Sequence, residues 1–366
     1  MTLNLYLARK FLWRFLALLG GFFTLAVVTD AMSLLGQFQA ANLNVLDTLR
    51  LALLKAPTSA YQLFPIISVL AALMLFLGLS RNSELVATRA AGMSALKSLL
   101  APVITAFLIG LVGVVAVNPL ASATLRQFES ETGRYKSGTL SSFSLSRKGL
   151  WLRQANVSGQ TVIFAQKANY NATRLLGVTF FEFSSAGIAL RRIESAFAVL
   201  SPGAWKLGPG KFWKINEPDQ VPDKTAQKFD TLILPSDLTS DQILNSFGDP
   251  NTVSIWDTPG FVKRLDRSGF STNRHRVHFQ IELALPLLLV GMVLIGAAFS
   301  MRPARSGRVG LMVLFTVLAG LGAFILQDFA EILGSSGAIP VVAAAWGPPI
   351  SAILFALGMI LHMEDG

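Results

Sequence analysis

The chain has no cysteine, only three histidines, and an unusually small share of charge. Without cysteine there is no disulfide framework, no thiolate metal site and no cysteine nucleophile. The absence fits any redox compartment and selects none. Charged residues make up 14% of the 366 positions, against about a quarter in ordinary globular chains. That density could not cover the surfaces of the two or three soluble domains this length would allow. Nucleotide machinery is missing too: Gly210-Lys211 is followed by Phe212 and lacks the upstream glycine of a phosphate-binding loop. Neither Gly-x-Ser-x-Gly nor His-Glu-x-x-His occurs. His275 and His278 stand three apart and could share a helical face, but no cysteine or third nearby histidine completes a metal set. They are expected to be polar residues at a membrane interface.

What the chain has in abundance is apolar sequence, 52% of residues, with a mean hydropathy of +0.54. Asp, Glu, Lys and Arg are absent from Phe15–Thr29, Ala56–Ser80, Ser98–Leu125, Leu283–Met301, Val309–Gln327 and Ile332–Leu361. A helix needs about 20 apolar residues to cross a bilayer. Five of these windows suffice outright, and the first does once extended through Asp30 towards Leu35. Six spans are therefore expected, three before and three after a long polar middle. Span 1 starts with basic residues, as a signal peptide does. Its apolar run is too long, however, and no small-x-small site follows promptly, so it is expected to remain in place.

The short loops carry an orientation signal. Arg9, Lys10, Arg14, Arg81, Arg89, Lys97, Arg302, Arg305 and Arg308 all fall on one side, against Arg50 and Lys55 on the other. The positive-inside rule places both termini in the cytoplasm. Between Arg126 and Arg276 lie 20 of the 31 basic residues and 13 acidic ones. Most of the formal net charge of +10 therefore belongs to the outer insert. Such a distribution suits an anionic partner met outside the cytoplasm and argues against nucleic acid.

The insert reads as β structure. Leu150–Arg153, Thr161–Ala165, Val178–Phe183, Ala196–Leu200 and Lys211–Ile215 are short β-branched or aromatic runs. Turn residues such as Gly159, Asn169, Gly187 and Pro202-Gly203 punctuate them. Their spacing predicts a sandwich or an open jellyroll-like sheet. Short helices are expected at Asp237–Leu244 and Thr258–Arg267. The layout is residues 1–125 for spans 1–3, 126–276 for the β domain, and 277–366 for spans 4–6.

Acids inside spans are costly and are functional candidates. Asp30, Glu282 and Asp328 all fall near the expected outer interface, where solvation rather than a proton path is the expected role. An ion-coupled carrier built on these three acids is the alternative from a different class. A non-transporting envelope scaffold is a third.

Asn82-Ser83-Glu84-Leu85 begins a short amphipathic stretch between spans 2 and 3. Asn82 or Ser83 can cap it, Glu84 suits its first turn, and Gly92 can end it. A coupling helix over about 82–93 is expected. The residues alone allow either an interfacial connector or a helix that docks on a cytoplasmic partner.

Arg81-x-Ser83-Glu84-Leu85 and Arg89-Ala90-Ala91-Gly92-Met93-Ser94, after a span containing Pro65, resemble the coupling region of the lipopolysaccharide export permeases LptF and LptG. The second half agrees: Leu283-Ala284-Leu285-Pro286-Leu287, then Phe299-x-x-Arg302, Arg305-x-Gly307-Arg308-x-Gly310, Ser335-Ser336-Gly337-Ala338-Ile339-Pro340 and Ala345-Trp346-x-Pro348. Gly149-Leu150-Trp151 is more similar to the LptG branch. The resemblance implies a non-catalytic subunit of an ABC transporter in a bacterial inner membrane, with its β-jellyroll in the periplasm. It implies an LptF-like paralogue as partner, a dimeric LptB-like ATPase that holds the ATP-Mg, and periplasmic bridge proteins like LptC and LptA. The chain itself would need no cofactor and bind no metal. Lipopolysaccharide would leave the membrane laterally, past spans 1 and 5. By the same resemblance, Ser83, Glu84, Leu85, Arg89 and Met93 would face the ATPase, and Arg134, with Lys136 and Arg126 nearby, would meet lipid phosphates. Relatives can carry lysine near the outer end of span 1, where this chain has Asp30. Three arrangements follow: Arg134 and its neighbours supply the attraction alone, a cation bridges Asp30 to phosphate, or the lipid carries fewer phosphates.

Overall fold

The computed structural model describes residues 2–37, 44–82, 84, 94–137, 150–156, 159–168, 173–184, 188–215, 226–236, 249–267, 272–301 and 309–364. It divides into two compact units. The first holds residues 1–130, 250–258 and 273–366, and the second holds 131–249 and 259–272.

The first unit is helical. Its elements are α1 (Thr2–Gln37), α2 (Val45–Gln62), α3 (Phe64–Arg81), α4 (Ala95–Val112) and α5 (Asn118–Ser137, whose last turns belong to the second unit), and later α7 (Asn273–Ser300), α8 (Val309–Ser335) and α9 (Val341–Glu364). Among the described residues, six helical stretches are long and apolar enough to cross a membrane, as the charge-free windows predict. The fourth, α7, is the hub: 83% of its apolar window is buried, and it packs against α3, α4, α8 and α9. Gly110 is what lets α4 approach it. A Cβ there would lie 2.5 Å from the Cα of Pro286.

Two prolines shape the approach to the site. The expected second span, Ala56–Ser80, is not one helix but α2 and α3, broken at Leu63. Pro65 has no N–H to donate to Tyr61, and its ring would strike that carbonyl in a continuous helix. Arg50 and Lys55 accordingly lie on α2 rather than in a loop. Between α4 and α5 the chain forms a π-helical turn, Gly113–Val117. The next residue but one is Pro119, which cannot bond back to Val115, and the wider turn relieves the ring's clash with that carbonyl. The freed oxygen of Val115 accepts from Trp256 Nε1 at 3.4 Å.

The second unit contains one antiparallel sheet of eight strands: β1 (Leu150–Asn156), β2 (Gly159–Ala168), β3 (Arg174–Ser184), β4 (Ala189–Ser201), β5 (Ala204–Leu207), β6 (Gly210–Lys214), β7 (Gln227–Phe229) and β8 (Leu232–Pro235). Strands β1 to β4 pair in sequence order. β4 then forks: Ser195 and the residues before it pair with β6, whereas Ala198–Ser201 pair with β5, which leads to β8. Gln154 on β1 donates to the carbonyl of Pro235 at 3.0 Å and accepts from Ser236 Oγ at 2.8 Å. The first strand and the last are thereby tied, and the open sheet rolls around a core of Leu152, Ile163, Val178, Phe180, Ile193 and Trp205. All five expected strands are present. β5, β7 and β8, of three or four residues each, are additions. The helix α6 stands at Thr258–Arg267 as expected, with Pro259 at its first turn. The helix expected at Asp237–Leu244 lies outside the described residues.

Candidate functional site

The basic end of α1 meets Glu84, just after α3. Along α1, Leu7, Phe11 and Phe15 are buried at helical spacing. Burying that stripe fixes which face Tyr6 and Lys10 present. Lys10 Nζ reaches both carboxylate oxygens of Glu84, at 3.1 and 3.0 Å. Tyr6 O–H donates to Glu84 at 3.0 Å, and Asn82 Nδ2 adds a longer contact of 3.3 Å. Lys10 also donates to the Tyr6 hydroxyl and sits 4.5 Å from its ring centre. Partial burial pushes the Glu84 carboxyl upward, but the hydrogen bonds from Lys10, Asn82 and Tyr6, with the charge of Lys10, outweigh it. The carboxyl is held below the ordinary glutamate value and is ionised at neutral pH. Glu84 therefore fastens the segment that follows α3 to α1. Ser83, Leu85, Arg89 and Met93 lie outside the described residues.

The expected acids meet different fates. Asp328 is exposed on α8. Asp30 is 9% exposed, not solvated. Its carboxylate accepts from Lys55 Nζ at 2.6 Å and from Ser59 Oγ at 3.1 Å. Both donors project from α2, which the sequence reading took for loop and span. Glu282 is buried as well, 8% exposed. It lies where α2, α5 and α7 converge, accepting from the Tyr61 hydroxyl, with His278 Nε2 at 3.8 Å. Asn118 completes this group and accepts the backbone N–H of Ile255 at 3.0 Å. Of the three acids, Asp328 alone is exposed. The two buried acids are desolvated but partnered, as burial of charge requires.

Arg126 is exposed on α5. Arg134 and Lys136 lie on the last turns of α5, and their side chains are outside the described set. Lys55 is the residue that sequence reasoning undervalued. Its signal was there, an acid inside a span followed by a lysine on a helix long enough to fold back. Among the described residues, no group of three or more His, Asp or Glu side chains could hold a metal ion.

Six apolar helical stretches, one of them a buried hub, with a rolled antiparallel sheet inserted between the third and the fourth, describe a multi-pass membrane protein. The profile of the family described as "Lipopolysaccharide export system permease LptF/LptG" matches residues 5–362, and the chain belongs to that family. It is 24% identical over 318 residues to the Lipopolysaccharide export system permease protein LptG of Escherichia coli (strain K12), covering 85% of this chain and 84% of the relative. The LptG of Escherichia coli O6:H1 (strain CFT073) shows the same identity and coverage.

Proposed function

We propose that the chain is the transmembrane subunit of an ABC-type machine that draws lipopolysaccharide out of the outer leaflet of the inner membrane. It pairs with an LptF-like paralogue and delivers the lipid through its periplasmic β domain to LptC- and LptA-like bridge proteins. ATP hydrolysis is the work of an LptB-like dimer docked on the coupling stretch, and both termini face that dimer in the cytoplasm. The observation that carries this reading is uneven burial. Only 17% of the apolar window of span 1 and 11% of that of span 5 are covered within the chain, against 33% to 83% for the others. Two under-covered spans are what a lateral opening for a lipid, or a seam with a paralogue, requires.

The Glu84 contacts give the motion a route. A displacement of the coupling stretch by the ATPase acts on span 1 through Lys10 and Tyr6, and span 1 is one side of the opening. At the other end, Lys55 supplies a cation near the outer end of span 1, held in place by Asp30, in the region where relatives carry lysine. Its side chain is 39% exposed, enough to meet a lipid phosphate. Arg134, Lys136 and Arg126 remain the proposed contacts beyond it. An ion-coupled carrier finds less support, because Asp30 is neutralised by Lys55 and Glu282 is engaged by Tyr61. Photocrosslinkers at Leu25 on α1 and Leu318 on α8, both exposed, test the reading. They should capture lipopolysaccharide in an ATPase-dependent manner. Capture at positions on buried α7 instead would refute it.

A further inference from the structure

The same end of α1 carries a second feature beside the Glu84 contacts. A cavity of about 680 Å³ is lined by Tyr6, Arg9, Lys10, Trp13, Arg14 and Met74, among others. That volume falls within the range of small-ligand sites, about 300–1,000 Å³. Three of its lining residues are cationic. Lys10 is committed to Glu84, but Arg14 has a donor to spare: its Nη1 is buried with no hydrogen-bond partner. A buried donor left unsatisfied is costly, and a guanidinium more so than most. The helix on the facing side makes room for Arg14 with Gly78, where a Cβ would lie 3.0 Å from Arg14 Nη2. An alanine would crowd the guanidinium that the glycine admits.

The chemistry of the lining has two halves. Arg9 and Arg14 offer forked donors that suit phosphate oxygens. Trp13 and Met74 are large and exposed, at 63% and 49%, and with Ala17 and Leu18 they give the cavity an apolar side. Tyr6 and Trp13 are of the type that collects at a membrane interface. A free phosphate would use the cations and leave the apolar wall wet. A phosphate that carries acyl chains uses both.

We infer that this cavity binds the headgroup of an anionic phospholipid from the leaflet that the N-terminal end of span 1 meets, with Arg9 and Arg14 on the phosphate and Trp13 and Met74 against the chains. The inference stands apart from the lipopolysaccharide reading. It concerns the opposite end of span 1 from Asp30 and Lys55, and a resident lipid rather than a transported one.

The test uses the full purified chain in detergent supplied with equal amounts of phosphatidylglycerol and phosphatidylcholine, with bound lipid counted by native mass spectrometry. The wild type should retain phosphatidylglycerol preferentially. Arg9→Gln and Arg14→Gln should each lower that preference about fivefold and together about 25-fold, whereas Arg50→Gln, a cation on α2, should not change it. Soluble glycerol phosphate at matched concentration should fail to displace the lipid. Should Arg14→Gln not fold, Arg9→Gln decides alone, since Arg9 is exposed. The inference is overturned if the wild type shows no preference, if Arg50→Gln lowers it equally, or if glycerol phosphate displaces the lipid, which would mean a plain anion site.

Discussion

Replacing Glu84 with glutamine keeps its shape and removes its charge, which isolates what fastens the coupling stretch to span 1. The carboxylate accepts two contacts from Lys10, one from Tyr6 and one from Asn82, between 3.0 and 3.3 Å. The Lys10 and Glu84 side chains are 25% and 31% exposed. An open surface pair contributes 0 to 1 kcal/mol, and hydrogen bonds to charged groups in drier settings about 1.5–3 kcal/mol. Partial exposure places this pair between the two, at about 1 kcal/mol of coupling. A double-mutant cycle of Lys10→Met and Glu84→Gln, read from thermal midpoints of the purified protein, measures that term free of the single-variant side effects. The pH dependence has a definite sign. Because the folded carboxyl titrates below 4.5, the ordinary glutamate value, the pair stabilises fully above 4.5 and is lost as the pH falls through the lower folded value. The coupling should therefore be present at pH 7, and shrink at 1 M salt, where the screening length is about 3 Å. A coupling under about 0.3 kcal/mol, or one indifferent to both pH and salt, would refute the reasoning.

Other consequences follow from burial. Lys55→Met leaves the 9%-exposed Asp30 as an uncompensated charge, whereas Asp30→Asn strands only a partly exposed lysine. The first should cost several kcal/mol and the second about 1 kcal/mol; equal costs in thermal melts would contradict the assignment. Tyr61→Phe removes the hydroxyl that Glu282 accepts from and should destabilise the helical unit by about 1–3 kcal/mol, measurable by the same melts. In the β domain, Trp205 is fully buried, so Trp205→Ala should cost about 3–5 kcal/mol. Protease sensitivity of the insert should rise while that of the helices stays unchanged.

The sequence was most legible where its signal is long and one-dimensional. Each of the six charge-free windows holds a helical stretch long and apolar enough to span a membrane, because a span needs only length and apolarity. Runs of β-branched and aromatic residues, such as Val178–Phe183, were equally plain. β5, β7 and β8 were not, because three or four residues carry too little periodicity and their place depends on the fork in β4. The break at Leu63 was written in Pro65, yet a charge count cannot see a helix interruption inside an apolar run. The acids were misjudged for a related reason. Position along a span predicts depth but not partners, and the folding back of α2 is what puts Lys55 on Asp30 and Tyr61 on Glu282. Glu84 was singled out by its motif, and Asn82 is its sequence neighbour, but its donors Tyr6 and Lys10 at the N-terminal end of span 1 are brought to it by tertiary packing alone.

The central claim is that this chain moves lipopolysaccharide in step with ATP hydrolysis by a separate subunit. The most direct measurement reconstitutes it with its LptF-like paralogue and the LptB-like ATPase in lipopolysaccharide-loaded proteoliposomes, and follows release to a soluble bridge protein. The account predicts release that requires ATP, persists when the proton gradient is collapsed, and falls with Glu84→Ala. Release that proceeds without ATP, or that stops when only the proton gradient is removed, would contradict it.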